Sequence, residues 1–338
     1  LRKMIGQFGI GLLSCFIVAR QVEVVTRAHN GEALSWSSFG DINYSVEPAE
    51  RKDVGTTVSL TLQVGQRRYL DEEFLACCIR KYADLIGIPV FLNDGQAPVN
   101  MAHAPWNSGS SAIDKETAEH LWRRRFPEAK ALSIRSFVRP FVLSERECVV
   151  RESGSVKGVL ALTEKQFLQD GAGKVDLFLN GMFISSDLTS LLPPWASFVC
   201  GVIETEDLEP NAARDNLMPG PDLTAMRQSL ADFIVYWLRD LAENSQEVFD
   251  RFVNKHFHHL VHACIQVTDD DFFLCLAEKI PLTAKPCNMT LEMYLEDAPL
   301  DAAGRKQIYF SIQDADMTQI SSLAVARGLE VFELSYPQ

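Results

Sequence analysis

The sequence predicts a mixed protein, α+β in its first part and α/β towards its end, divided into two or three domains. Three observations carry this expectation. Val58, Leu60 and Leu62 alternate with Thr57, Ser59 and Thr61, as on a half-buried strand of an antiparallel meander. Leu223, Met226, Leu230, Phe233, Trp237 and Leu241 recur at the spacing of one helix face. In the last fifty or so residues strand and helix candidates alternate as in a small α/β unit with a parallel, right-handed crossover. With 338 residues, 47% of them hydrophobic and 23% charged, the chain is long enough for several cores and does not have a disordered composition.

The N-terminal stretch LRKMIGQFGIGLLSCFIVARQ has two readings. Arg2 and Lys3 before an apolar run imitate a secretory leader, but Gly6, Gly9 and Gly11 break that run and Gln7 lies inside it. The alternative is a glycine loop followed by a short helix, LLSCFIVA. The first residue is not Met, so the chain is expected to be a fragment of something longer. QVEVVTRA, ALSWSSF, NYSVEP and TTVSLTLQ then read as strands separated by turns such as His-Asn-Gly-Glu.

DEEFLACCIRKYADLIG follows as a helix through Leu75, Ile79, Tyr82 and Ile86, with acidic residues in its first turn and Gly87 and Pro89 ending it. VFLND is a strand candidate, and residues 93–114 are rich enough in turn formers to be a linker. Asp114 is expected to cap the helix KETAEHLWRRRF. SIRSFVRPFVL, VKGVLAL and KVDLFLNGMFI are expected to form a second sheet, before the long helix from Pro221 and a further helix capped by Ser245. TLEMYLED, QIYFSI, MTQISSLAVAR and LEVFEL close the chain as helix, strand, helix and strand.

The 45 acidic and 32 basic residues give a net charge of −13, which disfavours broad attraction to nucleic acid or anionic lipid. Eight scattered cysteines include no CxxC pair, which suits a reducing cytoplasm. No apolar run reaches the length of a membrane helix.

Four motifs bear on chemistry. Gly6-x-x-Gly9-x-Gly11 ahead of a helix can present backbone N–H groups to phosphate, or it can be a simple tight turn. It is neither a P-loop nor the dinucleotide fingerprint. In DLEPNAARDNL, Asn211 and Arg214 lie three apart, either facing a common anionic ligand from one helical turn or marking a helix start with a solvated arginine. His258 and His262 have the i, i+4 spacing of a metal pair without an obvious third ligand, so no metal site is expected. Cys77 and Cys78 are neighbours whose side chains diverge on a helix, and they read as packing residues.

Taken together, these segments resemble the ninety-kilodalton heat-shock chaperone family, ATP-dependent dimers whose bacterial members are cytoplasmic. IGQFGIGLLSCFIVA is similar to the family's glycine-rich lid over the ATP phosphates, and RKDVGTTVSLTL to the Gly-Thr strand that ends its nucleotide domain. The most specific match is VDLFLNGMFISSDLTSLLPPWASFVCGVIETEDLEPNAARDNL, similar to the core of the middle domain. TLEMYLEDAPLDAAGRKQIYFSIQDAD resembles the small unit that closes that domain.

The resemblance implies the remnant of a Bergerat-type ATPase sandwich, of the gyrase, histidine-kinase and MutL-like class, in residues 1–66. A connecting helix and strand (67–97), a large α/β middle subdomain (98–242), a helical segment (243–286) and a small α/β subdomain (287–338) would follow. It implies ATP with Mg as cofactor, with Gln7, Gly9, Ile10 and Gly11 at the phosphates and Thr56 in the nucleotide pocket. Arg214 would reach the γ-phosphate and Asn211 would support its loop. Unfolded or partly folded client proteins and a second copy in a homodimer are the implied partners; nucleic acid and membrane are not. The family's catalytic Glu and metal-binding Asn lie upstream of what is present, so the chain alone is expected to be inactive. Met218 stands where the family has Gln, and Asn180-Gly181 where it has a basic pair, which leaves a catalytically weak scaffold as the alternative. An ATPase of the DNA-repair or topoisomerase type fits less well, because its second domain lacks a segment like EDLEPNAARD.

Overall fold

A computed structural model describes residues 10–107, 115–143, 153–164, 174–186, 191–193, 195–211, 216–266, 276, 280–312 and 317–334. The chain is mixed α and β and divides into two compact units, Leu1–Ala104 with the hairpin tip Asn180–Met182, and Pro105–Leu179 with Phe183–Gln338.

In the first unit α1 (Ile10–Ser14) and a 3-10 turn (Cys15–Ile17) lead into β1 (Ala19–Arg27), β2 (Ala33–Ser38), β3 (Tyr44–Pro48) and β4 (Gly55–Leu62). The meander forms one antiparallel sheet in the order β3-β2-β1-β4. The helix after the glycines is shorter than LLSCFIVA. Val18 N donates to Cys15 O at 3.1 Å in a tightened 3-10 turn, and Val18 O already accepts from Gln63 N at 2.9 Å, which draws the chain into the sheet.

Register and alternation put Val22, Val24 and Thr26 on one face with Leu34, Trp36, Tyr44, Val46, Thr56, Val58 and Leu60. The other face carries Glu23, Ser35, Ser37, Thr57, Ser59 and Thr61. The expected alternation is present, but half-burial is not: Tyr44 is 68% exposed, Val46 53% and Val58 49%, so the apolar face has no cover over much of its area.

α2 (Glu72–Tyr82) is capped by Asp71, whose carboxylate accepts the Phe74 N–H at 2.7 Å. It ends before Ile86 because buried Asn100 donates to Ala83 O at 3.0 Å, the carbonyl that another helical turn would have used. Asn100 also accepts from Val90 N and donates to Ile88 O, and Asn93 has φ 50°. These bonds hold VFLND as a loop, where a strand was expected.

The second unit contains a five-stranded sheet in the order β5-β6-β9-β7-β8, made of β5 (Ala131–Val142), β6 (Ser153–Thr163), β7 (Lys174–Leu179), β8 (Met182–Ser185) and β9 (Val199–Thr205). KVDLFLNGMFI is a hairpin, not one strand. Asn180 (φ 51°) and Gly181 (φ 80°) supply the two left-handed residues of a tight turn, the usual role of Asn-Gly. β9, unforeseen in sequence, pairs antiparallel with β6 and parallel with β7, and all seven of its residues are buried.

α3 (Lys115–Arg125), α4 (Pro221–Asn244) and α5 (Gln246–Gln266) pack with this sheet. The predicted face of α4 is buried throughout, and Phe233 stacks on Phe137 with ring centroids 4.7 Å apart. Each such side chain contributes about 1.5–3 kcal/mol by leaving water. Ser245 separates α4 from α5, and its carbonyl accepts from Val248 and Phe249. α5 kinks at His256, a buried residue whose ring hydrogen-bonds Thr163 O at 2.6 Å. Asp114 lies outside the described residues.

Within the same unit, short β10 (Pro281–Leu282) pairs with β12 (Met289–Thr290), and α6 (Leu291–Asp297) starts at Thr290, whose hydroxyl accepts from Met293 N. β13 (Phe310–Ile312), α7 (Met317–Ala326) and β14 (Val331–Leu334) follow. β13 and β14 are parallel, as expected, and β11 (Ala284–Lys285) flanks β14 on its other edge. The strand in QIYFSI is confined to its last three residues. Just before it, the hydroxyl of buried Tyr294 accepts from Tyr309 N and donates to Gln307 O.

Candidate functional site

Between β9 and α4 the chain forms a narrow neck. Met218 N donates to Glu209 O at 2.9 Å, Pro210 and Leu217 bridge antiparallel, and Asn211 N donates to Asn216 O at 2.8 Å. The Asn211 side chain also accepts from Asn216 N at 3.4 Å, a weak bond that reinforces the closure. Asn211 therefore closes a neck with Asn216, and among the described residues the next helix is α4. The tip between the two asparagines, residues 212–215, carries Arg214; it lies outside the described residues.

The neck is anchored at both ends by apolar burial, through Leu208 and Leu217 in the core of the second unit. A polar clamp lies beneath it. The Thr205 hydroxyl donates to Ser155 O at 3.0 Å, and the Asp207 carboxylate accepts the Ser155 N–H at 2.8 Å. Thr205 Oγ1 in turn accepts from Asp207 N at 3.3 Å. The last paired residues of β6 and β9 are Val156 and Thr205, so the two side chains continue the β6–β9 contact one residue beyond their ladder. On the same strand, buried Glu204 accepts from the indole N–H of Trp106, which fixes the start of the second unit against the base of β9.

Nothing in the local sequence flags Thr205, Asp207 or Asn216, since their partners or the closure they make become visible only once the register is known. Further along the sheet, β7 carries an ion pair with α3. Arg125 donates to Asp176 at 2.7 Å in a pair that is nearly buried, with Ser186 donating to the other carboxylate oxygen and the guanidinium over the Phe178 and Phe183 rings.

In the first unit, Gln7 and Gly9 lie outside the described residues. Ile10 opens α1, and Gly11 is an exposed residue of its first turn. Gly11 O accepts from Ser14 Oγ at 2.7 Å. Thr56 is exposed on β4, its hydroxyl 2.8 Å from that of Thr26. α1 precedes the Ala19 end of β1, whereas Thr26 is seven residues further along that strand, about 23 Å at strand rise. The described residues thus bring Thr56 to Thr26 and Asn211 to Asn216, and among them no hydrogen bond joins Gly11 to Thr56. Among the described residues no group of three or more His, Cys, Asp or Glu could hold a metal; the side chains of His258 and His262 lie outside them.

Residues 162–330, which contain β9, the neck and most of the terminal unit, match the family model described as Hsp90 protein. The chain belongs to the Hsp90 protein family. Its relatives include proteins named chaperone protein HtpG. That of Methylorubrum populi is 31% identical over 259 residues, covering 73% of this chain and 39% of the relative. The Paramagnetospirillum magneticum protein is 30% identical over 260 residues, covering 74% and 40%. For Halorhodospira halophila the figures are 31% over 273 residues, 74% and 42%. The chain therefore spans about two fifths of the length of these Hsp90-family relatives. Among the described residues no helix is long and apolar enough to cross a membrane.

Proposed function

We propose that this chain is the end of the nucleotide domain and most of the middle domain of a cytoplasmic, ATP-dependent, homodimeric chaperone acting on unfolded or partly folded proteins. The observation that carries the reading is the Asn211–Asn216 neck, which holds a four-residue tip bearing Arg214 inside the Hsp90-matching region. A cation in the short segment between the two residues that close this neck suits stabilisation of charge on a transferred phosphoryl group.

On this reading Gln7, Gly9, Ile10 and Gly11 bind the ATP phosphates through backbone N–H groups at a helix start, and Thr56 lines the nucleotide pocket. Support for a Bergerat-type remnant comes from the apolar sheet face, where Val46 and Val58 are 53% and 49% exposed: such a face suits packing against another layer of a sandwich. By the family resemblance Gln7, Gly9, Ile10 and Gly11 would meet the phosphate end of ATP. They assign no ligand to Mg, which bound with ATP would neutralise phosphate charge.

A non-catalytic scaffold is the second reading, favoured by Met218. The residue is 53% exposed and its backbone N–H serves the neck, so a polar group of the family pattern is replaced there by a thioether. The test is suppression of aggregation of a heat-unfolded reporter protein by the natural gene product carrying this chain. ATP-dependent suppression that Arg214→Ala removes supports the chaperone cycle. Suppression indifferent to both ATP and Arg214 supports the scaffold, and no suppression contradicts both.

A further inference from the structure

We propose that the free edge of β5 binds an extended segment of another protein by strand addition, and that Arg139 selects a carboxylate in that segment. The inference goes beyond the reading above and depends neither on Arg214 nor on nucleotide.

In the order β5-β6-β9-β7-β8, β5 has a paired strand on one side only among the described residues. The direction of its backbone groups follows from Ser155, which lies opposite Pro140. Both backbone groups of Ser155 are taken from the β9 side, the carbonyl by Thr205 and the N–H by Asp207. Pro140 and Ser155 are therefore a non-hydrogen-bonded pair, and the Pro140 carbonyl turns away from β6. There it accepts from Ser229 Oγ of α4 at 2.9 Å. Backbone direction alternates along a strand, so Ile134, Ser136 and Val138 also turn their N–H and C=O groups to the free edge, and among the described residues no hydrogen bond reaches them there. Pro140, which has no N–H, ends this open run. Val138 is 55% exposed, and an uncovered edge is a template for one more strand.

Charge decides the occupant. Arg135, Phe137 and Arg139 face α4: Arg135 pairs with Asp240 and Phe137 stacks on Phe233. Arg139 lies over the rings of Phe233 and Tyr236, 5.6 and 5.8 Å from their centroids, and has no carboxylate partner among the described residues. Asp232, on the same helix, accepts from Gln228 instead. The ring contacts occupy the faces of the guanidinium and leave its in-plane N–H donors available. A strand laid antiparallel on this edge puts one side chain opposite Arg139 at about 5 Å, where a carboxylate would accept those donors. A second copy of this chain would instead bring another Arg135 and Arg139 to the same edge, with repulsion between like charges. The segment that fits is an acidic residue followed at once by apolar residues at alternate positions, which continue the row of Val138 and Ile134.

The probe is a fluorescein-labelled peptide, Lys-Asp-Val-Thr-Val-Thr-Val-Lys, titrated into the full chain and followed by fluorescence anisotropy. Docked in this register, its valine N–H groups face β5 and its threonine N–H groups face solvent. N-methylation of the valines is expected to weaken binding by about tenfold or more, and N-methylation of the threonines to leave Kd within about twofold. Asn in place of Asp weakens binding by about three- to tenfold. In the chain, Val138→Pro removes an edge N–H without breaking a native hydrogen bond and should weaken binding as strongly, while Arg139→Gln abolishes the preference for Asp over Asn. Circular dichroism checks the fold of both variants, and the peptide comparisons need no variant. No binding to the wild type, equal binding of the two N-methylated peptides, or a preference for Asp that survives Arg139→Gln overturns the proposal. So does a dimer in analytical ultracentrifugation that Val138→Pro dissociates, which would assign the edge to a second copy. Suppression of aggregation is measured without this peptide, so the chaperone reading and the edge site can fail separately.

Discussion

At the residue scale, burial sets reactivity. Cys200 lies in the middle of the sheet, and burial pushes its thiol up to about 12, whereas Cys77 and Cys287 are exposed. Only the thiolate is nucleophilic, so a brief alkylation of the native chain followed by peptide mapping should label Cys77 and Cys287 and leave Cys200 unmodified until denaturant is added. Charge pairing acts in the opposite direction on Asp240. Hydrogen bonds from Arg135 and then Asn244 hold its carboxyl below the usual range. A depressed folded pKa stabilises above the unfolded value, near 3.9, and that contribution disappears as pH falls through the folded value. Asp240→Asn should therefore lower stability by about 1 kcal/mol or less at pH 7, with the gap from wild type closing below about pH 4. A gap in Tm that stays constant from pH 7 to pH 3 would contradict the pairing. None of this was visible from the residues one by one, because Arg135 and Asp240 are 105 positions apart.

At the element scale, what could be read in advance was what repeats locally. The alternation from Thr57 to Leu62 and the α4 face through Leu223 and Leu241 are periodic, and both elements formed. β9 escaped notice because a strand buried on both faces has no alternation to display. VFLND and the end of α2 were misread for a different reason: one distant side chain, Asn100, captures the backbone groups concerned. Asn180-Gly181 changed meaning most. It first looks like the loss of a basic pair, yet it is also the turn between β7 and β8. A Cβ on Gly181 would lie 2.3 Å from Leu85 O, and φ is +80°. Gly181→Ala should thus destabilise the chain by about 1–3 kcal/mol in urea denaturation, while Asn180→Gly should cost less than about 1 kcal/mol. Equal effects would mean that the turn, not the close approach, decides this position.

At the scale of the whole molecule, the candidate site was only partly legible. Asn211 could be picked out beside Arg214, but its work in closing the neck depends on Asn216, and the clamp below depends on Ser155, some fifty residues earlier. The glycine loop and Thr56 drew their meaning from resemblance, since neither pattern is specific alone and the described residues of the first unit do not join them. What ties the account together is the neck within the Hsp90-matching region. The most direct measurement is the steady-state rate of ATP hydrolysis by the natural gene product, wild type against Arg214→Ala, with retained folding checked by circular dichroism. The account predicts measurable turnover that falls by about tenfold or more in the variant. Equal rates in the two proteins, or no turnover in either, would contradict it.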